Sequence, residues 1–254
     1  MAHEDERPIL VCRVECPEQN LDSLDEWMPK HFDASLAHEA VTSAANYGIV
    51  RDYSTLPAAF NGHGNRFIVY VVDDIPGLMR WIDSPQIREA IEDGQDREGA
   101  YPPLDDEPFT GNIYELMELR NPAGRDFVGA GPIVAERFEV PARATAEFDV
   151  WLNGDHLAAI ETWPGVTRTR TWRQKREDVP RRFPYERYMS KGNRMVWAEF
   201  EEGTDVRRLL ADTGVVDTIA DSIRWDLRLP YVRREASEHI LTRYPEDALS
   251  EAIA

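Results

Sequence analysis

The sequence predicts an α+β protein of two tandem β-α-β-β-α-β halves. Each half is a four-stranded antiparallel sheet with two helices on one face, and the two sheets pack against each other as an α/β barrel. Three observations predict this. GNRFIVYVVDD at 64–74 returns as GNRMVWAEFEE at 192–202, 128 positions later in a chain of 254. A proline-led apolar run, PILVCRVEC at 8–16, returns as PIVAERFEV at 132–140. A helical segment with a tryptophan and a histidine follows each of these runs.

The elements follow in order. PILVCRVEC is a first strand. LDSLDEWMPKHFDASLAHEAV (21–41) is a helix, with Leu24, Met28, His31 and Ser35 at helical spacing and Trp27 beside them. NYGIVRDYS (46–54) is a second strand. The GNR segment opens on a Gly-Asn turn and alternates: Phe67, Val69 and Val71 share one face, Ile68, Tyr70 and Val72 the other. IPGLMRWIDSPQIREAIED (75–93) is a second helix and NIYELMEL (112–119) a fourth strand. In the second half the matching pieces are ATAEFDVWLNGDHLAAIE (144–161), WPGVTRTRTW (163–172), the second GNR strand, TDVRRLLADTGVVDTIADS (204–222) and IRWDLRLP (223–230). The helices cover one sheet face, and the other is also apolar, so each copy supplies what its twin must bury. The units are residues 8–120, residues 132–231, and a C-terminal tail, 232–254, read as an acidic helix. The connector NPAGRDFVGAG (121–131) is short enough to allow either a packed pair or two independent units.

Composition narrows the functions. A net charge of −18 repels a phosphate backbone and an anionic membrane surface, so neither nucleic acid nor membrane is an expected partner. The N-terminus lacks the basic and apolar regions of a secretory signal, and no apolar run reaches bilayer length. Cys12 and Cys16 on one strand lie roughly 13 Å apart, too far for a disulfide, and no histidine sits at zinc-ligand spacing from them. A reduced, cytoplasmic protein is expected. No phosphate loop, nucleotide fingerprint or serine elbow is present.

The candidate catalytic residues are His31, His156 and Glu199. His31 lies on the helix stripe that faces the sheet, where an imidazole either moves a proton or is a satisfied core residue. His156 sits at the matching place in the second half. Glu199 replaces the Val71 of the first copy; amid Trp197 and Phe200 it is either a desolvated acid or base or the ion-pair partner of Arg168 or Arg170. Candidate substrate-binding residues are Trp27, Tyr47, Arg51, Trp151, Arg168, Tyr188 and Trp197: aromatic walls, hydroxyls, and arginines able to hold an anion. Arg51 and Arg168 match across the halves and read equally as structural pairs. A site is expected between a sheet and its own helices. Three long loops, 54–64, 94–111 and 173–192, are read as lids or as surface decoration.

The order of elements, Trp27-x-x-x-His31 with its counterpart Trp151 to His156 one residue longer, and Pro164-Gly165-Val166-x-Arg168 together resemble the dimeric α/β-barrel (ferredoxin-like) superfamily in tandem form. EthD-like and antibiotic-biosynthesis-monooxygenase-like members are the nearest in pattern, and the resemblance spans residues 8–230. It implies a cofactor-independent enzyme acting on a small aromatic or polyketide-like molecule. Lyase chemistry, an elimination or retro-aldol cleavage by proton transfer, is the leading expectation, with His31 or His156 moving the proton and a tyrosine or arginine holding the oxyanion. A cofactorless monooxygenase or cyclase is the alternative. The resemblance extends to chlorite dismutase and coproheme decarboxylase, which makes heme held by His156 a further alternative; a non-enzymatic small-ligand binder is the last. A small apolar or aromatic substrate is the expected partner, and the chain is a monomer or a homodimer.

Overall fold

The computed structural model describes residues 7–14, 16–50, 65–96, 109–120, 131–175, 192–211 and 232–243. Among the described residues eight strands form one closed antiparallel barrel in the order β1-β3-β2-β8-β5-β7-β6-β4. They are β1 (Ile9–Val14), β2 (Val41–Val50), β3 (Arg66–Val72), β4 (Phe109–Arg120), β5 (Ile133–Phe138), β6 (Val166–Gln174), β7 (Arg194–Phe200) and β8 (Val232–Arg243). Around the ring, β4-β1-β3-β2 is followed by β8-β5-β7-β6, one order used twice. The two sets join edge to edge through β2 with β8 and β4 with β6. Alternation along each strand sends one set of side chains inward. Val11, Val69, Tyr47, Tyr114, Ile133, Trp172, Met195 and Trp197 belong to that interior cluster.

Helices cover the outer faces. In the first half, α1 (Leu21–Leu36) buries Leu24, Trp27, Met28, His31, Phe32 and Ser35. The helix predicted over 75–93 is two: α2 (Ile75–Ile82) and α3 (Pro85–Asp96). They part at Asp83-Ser84, because Pro85 has no N–H to continue the first helix. Asp74 caps α2 by accepting from the Gly77 N–H. In the second half, α4 (Thr145–Trp151) runs into a π-helical turn at Leu152–His156 and then α5 (Leu157–Ile160). That turn absorbs the one residue by which the second Trp-to-His spacing exceeds the first, and so returns His156 to the buried face. The Asn153 carbonyl within it accepts from Arg120 at the end of β4. A last described helix, α6, spans Val206–Ala211.

The duplicated Gly-Asn-Arg is a clamp. The Asn65 side chain accepts from the Cys16 N–H at 3.0 Å and donates to the Cys16 carbonyl at 2.5 Å, tying the start of β3 to the end of β1. Arg66 donates from Nε and Nη2 to the Asp25 carboxylate on α1, at 2.9 and 2.5 Å. The second copy repeats this. Asn193 accepts from and donates to the Val140 backbone at 2.9 and 2.8 Å, and Arg194 reaches Asp149 on α4 at 2.6 and 3.0 Å. Two strands and a helix are joined by one tripeptide in each half.

The C-terminal tail corrects the sequence reading. Residues 232–243 are a strand, not a helix, and it is β8 that fills the place between β2 and β5. Each of those strands offers an unpaired backbone edge, and pairing on both sides outweighs local helix preference. The expected strand at 223–230 lies outside the described residues. So do the connector up to residue 130, the loop 54–64, and most of the loops at 94–111 and 173–192.

Candidate functional site

A cavity opens between the first half's sheet and its helices. The centre of a water molecule can move through about 40 Å³ of it, room for more than one water. β1 and β3 contribute Leu10, Cys12, Val14, Ile68 and Tyr70; α1 contributes Leu24, Trp27, Met28 and His31; α2 and α3 contribute Trp81, Ile82, Ile87 and Ile91. The lining is apolar and aromatic; its polar groups are one imidazole, one thiol, one phenol and the indole N–H groups of Trp27 and Trp81.

His31 is 8% exposed. Its ring lies 4.7 Å from Trp27 and meets Tyr70 edge-on at 6.1 Å. Nδ1 is buried without a hydrogen-bond partner. Burial pushes its pKa down to about 4, so the ring is neutral at physiological pH. The Cys12 thiol is free and buried, and desolvation raises its pKa, which keeps it protonated and a poor nucleophile. Gly94 of α3 lies so close to Trp27 that an added Cβ would stand 2.7 Å from its ring. Only glycine lets α3 approach the aromatic wall here.

The second half presents the same scaffold, filled differently. Trp151 stacks on His156 at 4.6 Å. Cys12 and Glu136 hold one register position in their sheets, opposite Ile68 and Val196 respectively. His156 Nε2 lies 2.6 Å from Glu136 Oε2, and both side chains are 1% exposed. Where the first half has Val14 and Leu24, the second has Phe138 and Phe148, whose rings pack at 5.2 Å. Tyr70 in turn stands where the second half has Ala198. Because Nε2 of His156 is already engaged and its ring is walled in by Trp151 and Phe138, this histidine does not fit the axial ligand of a porphyrin.

The sequence-nominated residues thus separate into three places. Trp27 and His31 meet in the first-half cavity; Trp151 and His156 lie under the second-half helices. Tyr47, Arg168, Trp197 and Glu199 are inside the barrel. There Glu199 pairs with Arg170, and Arg168 Nε lies 3.8 Å from its second oxygen. Of the two readings of Glu199, the geometry carries the ion pair. Tyr47 and Trp197 join Phe67 in an edge-to-face cluster with centroids 6.0 to 6.4 Å apart, and Arg170 lies over Trp172 at 6.0 Å. Arg51 and Tyr188 lie outside the described residues. The reading of the sequence overlooked Cys12, Tyr70 and Trp81 as lining residues, and Glu136 as the partner of His156. Its own alignment of PILVCRVEC with PIVAERFEV held the signal, since it sets Cys12 against a glutamate at a core-facing position.

Among the described residues no group of three or more His, Cys, Asp or Glu side chains could hold a metal ion, and no helix is long and apolar enough to cross a membrane. No family model matches the sequence, and no curated protein does. Solved structures do match in shape. An anthrone oxidase-like protein superposes with a TM-score of 0.62 at 11% identity, covering 95% of each chain. A provisionally named monooxygenase from Fusobacterium nucleatum gives 0.59 at 10% identity over 96% of each chain. Another, from Lactobacillus acidophilus, gives 0.54 at 10% over 94% of this chain and 97% of its own. At these identities the likeness is one of fold.

Proposed function

We propose that the protein is a cofactor-independent enzyme that takes a proton from a small aromatic substrate in the first-half cavity, with His31 as the base. One observation carries this reading. A neutral imidazole that makes no hydrogen bond lines an apolar cavity walled by Trp27, Tyr70 and Trp81. Leaving a buried nitrogen unpaired costs on the order of 1–3 kcal/mol, a cost that function explains better than packing does.

The chemistry follows from the surroundings. In the empty cavity the imidazole is unprotonated at neutral pH, so its lone pair is free, but burial makes it a weak base. Once it accepts a proton, the substrate anion beside it favours the protonated ring, and exclusion of water strengthens that pair. Trp27 and Tyr70 hold the substrate ring and fix its distance from the base. At a ring carbon that bears hydrogen the anion adds to dioxygen; the peroxide so formed takes the proton back from His31 and loses water to leave a carbonyl, so one oxygen atom enters the product and the other departs as water. The names of the similar structures favour this oxygenation over the elimination or retro-aldol cleavage expected from the sequence; both begin with the same proton transfer.

Oxygen uptake on phenolic and anthrone-like compounds tests the reading. His31→Leu should lower kcat/KM by about 10²–10⁴-fold, the usual worth of a general base. In the native enzyme kcat/KM should hold down to about pH 4–5 and fall as His31 protonates. Turnover that survives His31→Leu removes the proposal.

A further inference from the structure

We infer that the cavity's occupant is a neutral phenol whose hydroxyl meets His31 in the place where Glu136 meets His156, and that Cys12, Val14 and Leu24 select for it. This rests on the proposal that the first-half cavity is the substrate site, and it names the substrate class.

The protein carries its own reference complex. The two halves share the Asn and Arg clamps, the sheet register, and a tryptophan laid on a histidine at 4.7 and 4.6 Å. In the second half that histidine binds an acidic oxygen through Nε2 at 2.6 Å. In the first half the strand residue that would supply the oxygen is Cys12, whose side chain ends at sulfur, three heavy atoms short of a glutamate. The His31 ring makes no hydrogen bond, and Nε2 is not sealed off as Nδ1 is. Val14 and Leu24 also stand back where Phe138 and Phe148 fill the second half. What the filled half has and this one lacks is an oxygen at the histidine and the Phe138 and Phe148 rings, of which Tyr70, standing where the second half has Ala198, replaces a part. A ring bearing a hydroxyl supplies both.

The charge of the occupant follows from the lining. The titratable side chains that line the cavity with His31 are Cys12 and Tyr70, and no Asp, Glu, Lys or Arg is among the lining residues. No cation among the lining residues would offset a carboxylate, and burying an unpaired carboxylate is strongly unfavourable. A phenol enters neutral and makes one hydrogen bond with the imidazole, whichever of the two ring nitrogens carries the proton.

The test is binding of three single-ring probes that share a methylphenyl body to the full chain at pH 7: p-cresol, toluene and p-toluate. p-Cresol should bind at least tenfold more tightly than either of the others. His31→Leu should erase its advantage over toluene. Cys12→Glu, which installs the carboxylate of the second half, should weaken p-cresol at least tenfold. It should also raise the His31 pKa, followed by imidazole NMR, from about 4 to above the ordinary value of about 6.5. Should that variant fail to fold, Val14→Phe, which copies Phe138, closes the same space and should exclude p-cresol alone. Equal binding of toluene and p-cresol, tighter binding of p-toluate, or no binding of any probe overturns the inference. p-Cresol bound through His31, with no oxygen uptake on any phenolic or anthrone-like compound, would sink the catalytic reading and leave this one standing. Turnover with no preference for the hydroxyl would do the reverse.

Discussion

Replacing His31 by leucine should flatten the acid side of the protein's stability profile. The folded chain holds the His31 pKa near 4, while in the unfolded chain it returns to about 6.5. Below pH 6.5 the unfolded state therefore binds a proton that the folded state refuses. The stability contributed is full above pH 6.5, is lost as pH falls toward 4, and changes no further below that. A gap of about 2.5 pH units at 1.36 kcal/mol each gives roughly 3 kcal/mol in all, most of it gone by pH 4.5. The residue is 8% exposed, so solvent screening reduces this little. Urea unfolding of native and His31→Leu chains at pH 7.5 and 4.5 reads it directly. Carboxylates titrate alike in both chains and cancel in the comparison. The native chain should lose about 2–3 kcal/mol more than the variant between the two pH values, close to 1 M in midpoint at an m-value of ~2–3 kcal/mol/M. Profiles that stay parallel within ~0.5 kcal/mol would refute the burial argument, and the picture of a proton-free base with it.

Other outcomes follow from the packing. Glu136→Leu and His156→Leu should each cost about 3–5 kcal/mol, because each breaks a buried polar pair by removing one member, whereas the double variant should cost clearly less than their sum in a double-mutant cycle. Asn65→Ala and Asn193→Ala each remove two backbone contacts of a clamp and should lower thermal stability by about 2–3 kcal/mol apiece, additively, since the clamps lie in different halves. Gly154→Ala, where an added Cβ meets nothing within 4 Å, should raise stability by ~0.5–1 kcal/mol. Gly94→Ala, aimed at the Trp27 ring, should cost about 1–3 kcal/mol and weaken p-cresol binding; calorimetry reads both.

Much of the fold was legible because the chain states it twice. Proline-led strands and the GNR strands alternate with period two, and Leu24, Met28, His31 and Ser35 keep helical spacing, so local signals agreed with one another. The one-residue surplus between Trp151 and His156 was legible as a difference; its resolution by a π-turn is a matter of burial, which spacing does not state. β8 was misread because Val232–Arg243 reads locally as helix and owes its strand state to two distant edges. For the site, Trp27 and His31 were found by helical phase. Glu199 was flagged as out of place, and register brought the arginines that explain it. The reason one half is hollow and the other filled lies in small differences of side-chain length, Cys12 against Glu136 and Val14 against Phe138, which acquire meaning only when sheet and helix are set face to face.

The place of β8 also bears on how the chain is made. Ala44 of β2 pairs with Arg243, and Ile133 of β5 with Ser237. On the ribosome the first-half cavity and its helices can assemble long before the residues that close the ring exist. Until then the chain carries two bare strand edges, open to pairing with any neighbour. Contacts of such sequence separation form slowly. The C-terminal strand is therefore a late latch, and a nascent or truncated chain lacking it should recruit chaperones and aggregate even with its binding cavity already built.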